Sequence, residues 1–247
     1  MELKDKIALV TGGGQGIGQV IGNNLAKSGA HVIFGDINHE NANKSAESVI
    51  ANGGSASAAL INVADAKNVK VAFDSIAREF KPLDILINNA ANDTRHKIDD
   101  VTEEYWNERI NVNLRHFFFT VQSVKKSMID NGGGAIINMG STSWMVGQGG
   151  MAAYTAAKSG VVGLSRSFAR DLGEFNIRVN SVVPGWVMTQ RQIDLWLNDE
   201  SEKELMKRQC LKEKLMPHEL AQAVLFFSSE QSSGCTNQSY VVDKGWL

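Results

Sequence analysis

The sequence predicts an α/β protein: a doubly wound parallel sheet of about seven strands with helices on both faces. Three observations predict it. Short apolar runs recur without polar alternation, which marks strands covered on both faces. Stretches of helical spacing separate them, so strand and helix alternate along the chain. A glycine-rich turn joins the first apolar run to the first helical pattern.

The predicted strands are residues 7–10, 31–34, 58–61, 85–87, 135–137, 177–183 and 240–242. Helical spacing is clearest at Ile17, Ile21 and Leu25, and at Val69, Phe73, Ile76 and Phe80. The three prolines, Pro82, Pro184 and Pro217, punctuate element ends. Connections are short and show no linker or repeat, so residues 1–247 are expected to form one domain. The rhythm breaks after Pro184, where residues 186–216 are expected to form a substrate lid. Within it Asp199 to Lys214 mixes charges of both signs, as a solvated helix face does. The glycines Gly132, Gly133 and Gly134 suit a surface turn.

Hydrophobic residues make up 43% of the chain and charged ones 21%, which suits a packed globular core. The net charge of −2 implies no nucleic-acid or other polyanion partner. Cys210 and Cys235 lack metal-site spacing, and two free thiols in a reducing compartment follow. The histidines show no metal-ligand spacing either, so no metal is expected. The first residues run straight into a strand without a leader-like apolar stretch, and no membrane span is present. A soluble cytoplasmic protein is expected.

Thr11 closes the first strand, and Gly12, Gly16 and Gly18 punctuate the turn into a helix. Glycine lets the backbone approach a pyrophosphate, and the helix start offers free N–H groups. The spacing G-x-x-x-G-x-G differs from the general G-x-G-x-x-G fingerprint. Asp36 ends the second strand, where a carboxylate can accept both ribose hydroxyls of an adenosine. It would repel a 2′-phosphate by ~4 kcal/mol at ~4 Å and an effective dielectric of ~20. Gln15 stands where a basic residue could have answered that phosphate. The expected cofactor is therefore NAD.

Tyr154 and Lys158 are four apart in a helical stretch, and Ser141 precedes the tyrosine by thirteen residues. On a helix such a pair shares one face about 6 Å apart. The other Y-x-x-x-K, Tyr240 with Lys244, opens a strand, where four residues span ~13 Å. Tyr240 is expected in the core. A phenol is a poor base near neutrality, but a neighbouring ammonium and a cationic nicotinamide favour the phenolate. Ser141, at the carboxyl edge of the fifth strand, can orient the substrate oxygen; Ser143 is the alternative.

With these residues the chain resembles the short-chain dehydrogenase/reductase family over essentially its whole length. Thr11 to Gly18 matches the family's cofactor turn, and Asn88-Asn89-Ala90 its N-N-A segment. Asn113 matches the helix asparagine of a proton relay, and Ser141, Tyr154 and Lys158 match the catalytic residues. Asn180, Pro184, Gly185 and Thr189 match the segment around the nicotinamide amide. The resemblance implies a Rossmann sheet with strand order 3-2-1-4-5-6-7, hydride transfer at the nicotinamide and commonly a homotetramer. It also implies cofactor contacts from Gln15, Ile17, Ile37, Asn62, Val63, Asn89, Ala90 and Val187, besides the residues above. Two positions depart from the family pattern: Asn62 replaces the usual aspartate, and Ala91 replaces a glycine.

A narrower resemblance is to aldose 1-dehydrogenases of the xylose type, which oxidise the anomeric hydroxyl to a lactone. It rests on segments 92–96, 113–116, 140–144, 185–192, 209–212 and 242–246. Asn92, Arg95 and His96 leave the sheet at its carboxyl edge, rich in donors and acceptors suited to a polyol. Trp144 and Trp186 can stack on a sugar's C–H face, or simply belong to the core. Arg95 and His96 can equally pair with Asp93, Asp99 or Asp100. Phe117 to Phe119 can serve an interface or the core. In the expected mechanism Ser141 holds the anomeric hydroxyl, Tyr154 takes its proton, and the proton exits through the ribose, Lys158 and a water near Asn113. Alternatives are another secondary alcohol or a 3-oxoacyl substrate, and a dinucleotide-sensing module without turnover. The small-molecule partner is thus expected to be a sugar whose identity the residues do not rank.

Overall fold

The computed structural model describes residues 2–80 and 82–247. Seven parallel strands form one sheet in the order β3-β2-β1-β4-β5-β6-β7. They are β1 (Ile7–Thr11), β2 (His31–Asp36), β3 (Ser55–Leu60), β4 (Ile85–Asn88), β5 (Gly134–Met139), β6 (Ile177–Pro184) and β7 (Ser239–Val242). The helices are α1 (Gly16–Lys27), α2 (His39–Ala51), α3 (Ala66–Glu79), α4 (Glu103–Ile110), α5 (His116–Asp130), α6 (Ala152–Leu172), α7 (Gln190–Trp196), α8 (Asp199–Arg208) and α9 (Pro217–Ser228). The order matches the expected one. None of these helices is long and apolar enough to cross a membrane.

Strand geometry explains the unalternating runs. In β1, Ala8 and Val10 face one apolar cluster with Ile21 and Leu25 of α1, Val49 of α2 and Leu220 and Val224 of α9. Ile7 and Leu9 face the other, with Phe73 of α3, Val124 of α5 and Phe168 of α6. Successive side chains point to opposite faces, and both faces are roofed by helices.

The third strand begins three residues earlier than expected and ends one earlier. It is an edge strand, paired only with β2, so Ser55 and Ser57 are tolerated among small half-buried residues. Phe80 lies just past α3, in extended backbone, and packs on the His31 ring at 5.1 Å. Tyr240 corrects an expectation: it is 53% exposed, because β7 closes the sheet's other edge, where Phe227 packs edge-on against its ring. The aromatic run divides. Phe117 is buried, Phe119 packs against the α3–α5–α6 cluster, and Phe118 is exposed.

The direction of the strand order reverses between β1 and β4. The crevice outside the carboxyl ends there is where sheets of this kind take ligands. Residues 186–216 cross above it as α7 and α8, fastened by a lone bridge between Val187 and Leu215.

Candidate active site

The glycine turn is held by backbone contacts. Gly12 has a φ of +64°, and a Cβ there would lie 2.8 Å from Ala90 Cα. A Cβ on Gly18 would lie 2.2 Å from the Gly12 carbonyl oxygen. Asn89 locks the turn from across the switch point: its Nδ2 donates to the carbonyls of Thr11 (3.0 Å) and Gly12 (3.2 Å). Thr11 Oγ1 in turn accepts from the backbone N–H groups of Asn89 and Ala90. At the start of α1, Gln15 provides no side-chain cap. The first-turn N–H groups of Gly16, Ile17 and Gly18 are therefore free for an anion, with the positive end of the helix dipole behind them.

Asp36 stands at the end of β2 with one oxygen accepting from Gly14 N and the other from Asn38 N, each at 2.9 Å. The loop thus fixes a carboxylate beside the turn. Ile37 next to it is exposed. Asn62 Oδ1 accepts from Ala64 N, which leaves its amide N–H groups as donors, beside buried Val63. Pro184, Gly185, Val187 and Thr189 line the same cavity as Ile17 and Tyr154. Asn180 lies below, donating to Cys235 O and accepting from Gln238 N, so it braces β6 rather than facing the cavity.

That cavity, about 540 Å³, gathers the catalytic candidates. Ser141 caps a short 3-10 turn (Thr142–Trp144), its Oγ accepting from Ser143 N. Ser143 lines the cavity too, and its buried Oγ has no partner in the protein. Tyr154 is in the first turn of α6. Burial and the Asp93 carboxylate push its phenol above the usual range, and its hydrogen bond with Ser141 pulls it back. Lys158 lies one turn on and is only 1% exposed. Its Nζ donates to Met139 O at 2.8 Å and sits 5.7 Å from the Tyr154 ring centroid. Burial lowers its pKa to about 7, against the pull of Asp93.

Asn113 lies in a turn of π-helix (Asn111–Arg115) between α4 and α5, a distortion that frees backbone carbonyls. Its side chain is committed: Nδ2 donates to Asn92 O and Arg109 O, and Oδ1 accepts from Asn92 N. Both amide hydrogens are used, so a water there can only donate, to an Asn113 oxygen.

The substrate residues divide. Arg95, Ser141, Ser143, Tyr154 and Trp186 line the cavity. Asn92, His96 and Trp144 lie outside its lining. Asn92 braces the loop by accepting from Thr94 N and Oγ1. His96 packs edge-on against Tyr105 and hydrogen-bonds to the Lys97 carbonyl. Trp144 ends the 3-10 turn with its ring exposed.

Asp93 is the principal residue that sequence reasoning missed as a site residue. It pairs with Arg191 of α7 and accepts from Gln192 Nε2 at 2.6 Å. Gln192 Oε1 accepts from Trp186 Nε1 at 2.9 Å. Arg95 does not pair with an aspartate; its guanidinium stacks on Trp196 at 4.1 Å. Glu204 and Arg208, expected on a solvated face, also line the cavity. A second unpredicted feature lies beneath: Thr120, Asn88, Asn138, Ser165 and Ser181 form a fully buried hydrogen-bonded chain across β4, β5, β6 and two helices. Only its N-N-A member carried a motif signal.

Residues 12–247 match the family model described as enoyl-(acyl carrier protein) reductase. The chain belongs to the short-chain dehydrogenase/reductase family and is a dehydrogenase-type oxidoreductase of that class. Among its relatives, the D-xylose 1-dehydrogenase of Caulobacter vibrioides is 44% identical over 99% of this chain and 96% of that protein. A probable galactose dehydrogenase of Rhizobium meliloti is 40% identical, with 99% and 96% covered. A 7α-hydroxysteroid dehydrogenase solved with NADH and 7-oxo glycochenodeoxycholic acid superposes at a TM-score of 0.94 and 30% identity, covering 99% and 95%. A gluconate 5-dehydrogenase of Burkholderia cenocepacia solved with NADP and tartrate also gives 0.94, at 31% identity, covering 99% and 96%.

Proposed function

We propose that this protein oxidises the anomeric hydroxyl of an aldose to a lactone, with NAD as hydride acceptor. The observation that carries the proposal is the cavity around Tyr154, which mixes polar groups with apolar walls. Asp93, Arg95, Gln148 and two serines ring it, and Trp186 offers an apolar face. A sugar needs many hydrogen-bonding groups and one flat apolar wall. The 44% identity to a D-xylose 1-dehydrogenase supports the same substrate class.

The turn fits a dinucleotide: uncapped N–H groups of Gly16, Ile17 and Gly18 for the pyrophosphate, and Asp36 for the adenosine ribose. The fixed Asp36 charge favours NAD over NADP. When bound, the nicotinamide supplies the acceptor for the hydride from C1. Ser141 orients the sugar's O1. Tyr154 takes the O1 proton, which lets the C1–O bond become the lactone carbonyl. The Lys158 ammonium favours the phenolate and relays the proton toward solvent at Asn113. Without ligands, burial works against both charges, raising Tyr154 and lowering Lys158. A cationic nicotinamide near the phenol would favour the phenolate, and the phenolate in turn would favour the Lys158 ammonium. Residues 186–216 act as the lid, within one catalytic unit spanning 1–247.

Initial rates of NADH formation with a panel of aldoses and cyclic alcohols test this. Aldose-dependent, NAD-preferring turnover is expected. A cyclohexanol dehydrogenase of Acinetobacter sp., 34% identical, keeps an alicyclic alcohol as the second reading. Turnover of cyclic alcohols alone would select it, and tight NAD binding without turnover of any substrate would leave a sensor.

A further inference from the structure

His116 opens α5, three residues beyond Asn113 and just past the π-helical turn. Its ring is 1% exposed. Nε2 lies 3.1 Å from the Ala90 carbonyl oxygen, which can only accept, so Nε2 carries the hydrogen. Burial, and then the charge of Lys158, lower its pKa to about 3, so the ring is neutral near pH 7. Nδ1 is therefore a bare acceptor, and it is buried without a hydrogen-bond partner. Such a group is costly to leave unpaired and calls for a specific explanation.

The neighbourhood supplies a donor. Phe117 packs 4.2 Å from the His116 ring, and the Lys158 ammonium lies 5.2 Å from the Phe117 ring. Lys158 uses one of its three N–H groups on Met139 O. One buried acceptor and an ammonium with two spare donors thus both border the Phe117 ring. The charge acting on His116 is that of Lys158 on α6, which in turn feels Asp93 after β4 and lies 5.7 Å from the Tyr154 ring. On α4, Arg109 is turned toward Tyr105 and Glu108 instead.

We propose that His116 is a positioning residue of the proton path: its Nδ1 accepts a hydrogen bond from the Lys158 ammonium through one water, while its Nε2–H fixes the Ala90 carbonyl. The ring stays neutral throughout. The substrate proton travels through Lys158 toward solvent at Asn113, and His116 keeps the ammonium charged and aimed. This rests on the assignment of Tyr154 and Lys158 to catalysis.

Two variants separate the two nitrogens. In His116→Gln the side-chain amide reaches the Nε2 position and keeps the Ala90 contact, but the Nδ1 acceptor is lost. In His116→Asn an oxygen takes the Nδ1 position and the Ala90 contact is lost. Without the acceptor the ammonium is less favoured, the phenolate is less stabilised, and Tyr154 ionises at higher pH. For His116→Gln the acid limb of kcat is expected to rise by about one pH unit, with kcat down about tenfold and the KM for NAD unchanged. His116→Asn is expected to keep the parental pH limb and raise the KM for NAD. A parental pH profile and kcat in His116→Gln, or an effect confined to the KM for NAD, would overturn the proposal. Nitrogen-15 NMR of the parental protein gives a readout independent of turnover and of variant folding. A neutral Nε2–H ring from about pH 5 to 9 is expected; an Nδ1–H or titrating ring would overturn the proposal. Tyr154→Phe runs alongside: if it retains turnover, the catalytic assignment fails, whereas a parental His116→Gln in a Tyr154-dependent enzyme removes only the role of His116.

Discussion

The two halves of the cleft are built by different means. The cofactor half is made of backbone: glycines too close for a Cβ, Asn89 bridging two carbonyls, and an uncapped helix start. The substrate half is made of side chains that meet across about a hundred positions of sequence, Asp93 with Arg191 and Gln192. Backbone contacts tolerate few sequences, so the first half is a motif. Side-chain clamps can be rebuilt with different residues, so the second half is where substrate choice can vary without disturbing the fold.

The largest expected effect breaks what the halves share. Tyr154→Phe should lower kcat by roughly a hundred- to ten-thousand-fold, the range for a general base, with little change in Tm. Retained turnover would remove Tyr154 from the chemistry. Asp36→Asn acts on the cofactor half alone. It should raise relative use of NADP by roughly tens to hundreds of times, less than the full ~4 kcal/mol of charge repulsion because solvent screens the site. The ratio of kcat/KM for the two cofactors measures it, and an unchanged ratio would place NAD preference elsewhere.

Asp93→Asn tests how far the substrate half reaches into the chemistry. The Asp93 charge disfavours the Tyr154 phenolate and favours the Lys158 ammonium, raising both pKa values. Removing it should move the acid limb of kcat to lower pH by less than about one unit, while weakening the α7 clamp raises the KM for sugar. An acid limb moving to higher pH would contradict this sign. The smallest change is expected from Arg95→Ala, which removes the stack on Trp196. A loss of about 0.5–1 kcal/mol should raise the sugar KM a few-fold and leave the KM for NAD alone. A change confined to NAD would mean that the two halves are not separable.

The same division governs what could be read from the chain. Six of the seven strands lay where unbroken apolar runs put them, because buried parallel strands need apolar residues on both faces. The edge strand β3 was misplaced since half-buried edges accept serine and alanine. Tyr240 was misjudged for a related reason: a strand's residue types do not say whether anything covers the outer edge.

By itself, the sequence determined the buried strands, the glycine turn, the acid at the end of β2 and the spacing of Ser141, Tyr154 and Lys158. Each depends on local geometry, in which a turn or a helix period dictates which residue types fit. Only the tertiary structure decided that Asp93 clamps α7, that Arg95 stacks on Trp196, and that His96 packs against Tyr105. It alone showed the bare nitrogen of His116 behind Ala90. Those contacts join segments far apart in the chain, and the angle at which a loop leaves the sheet is set by everything packed against it.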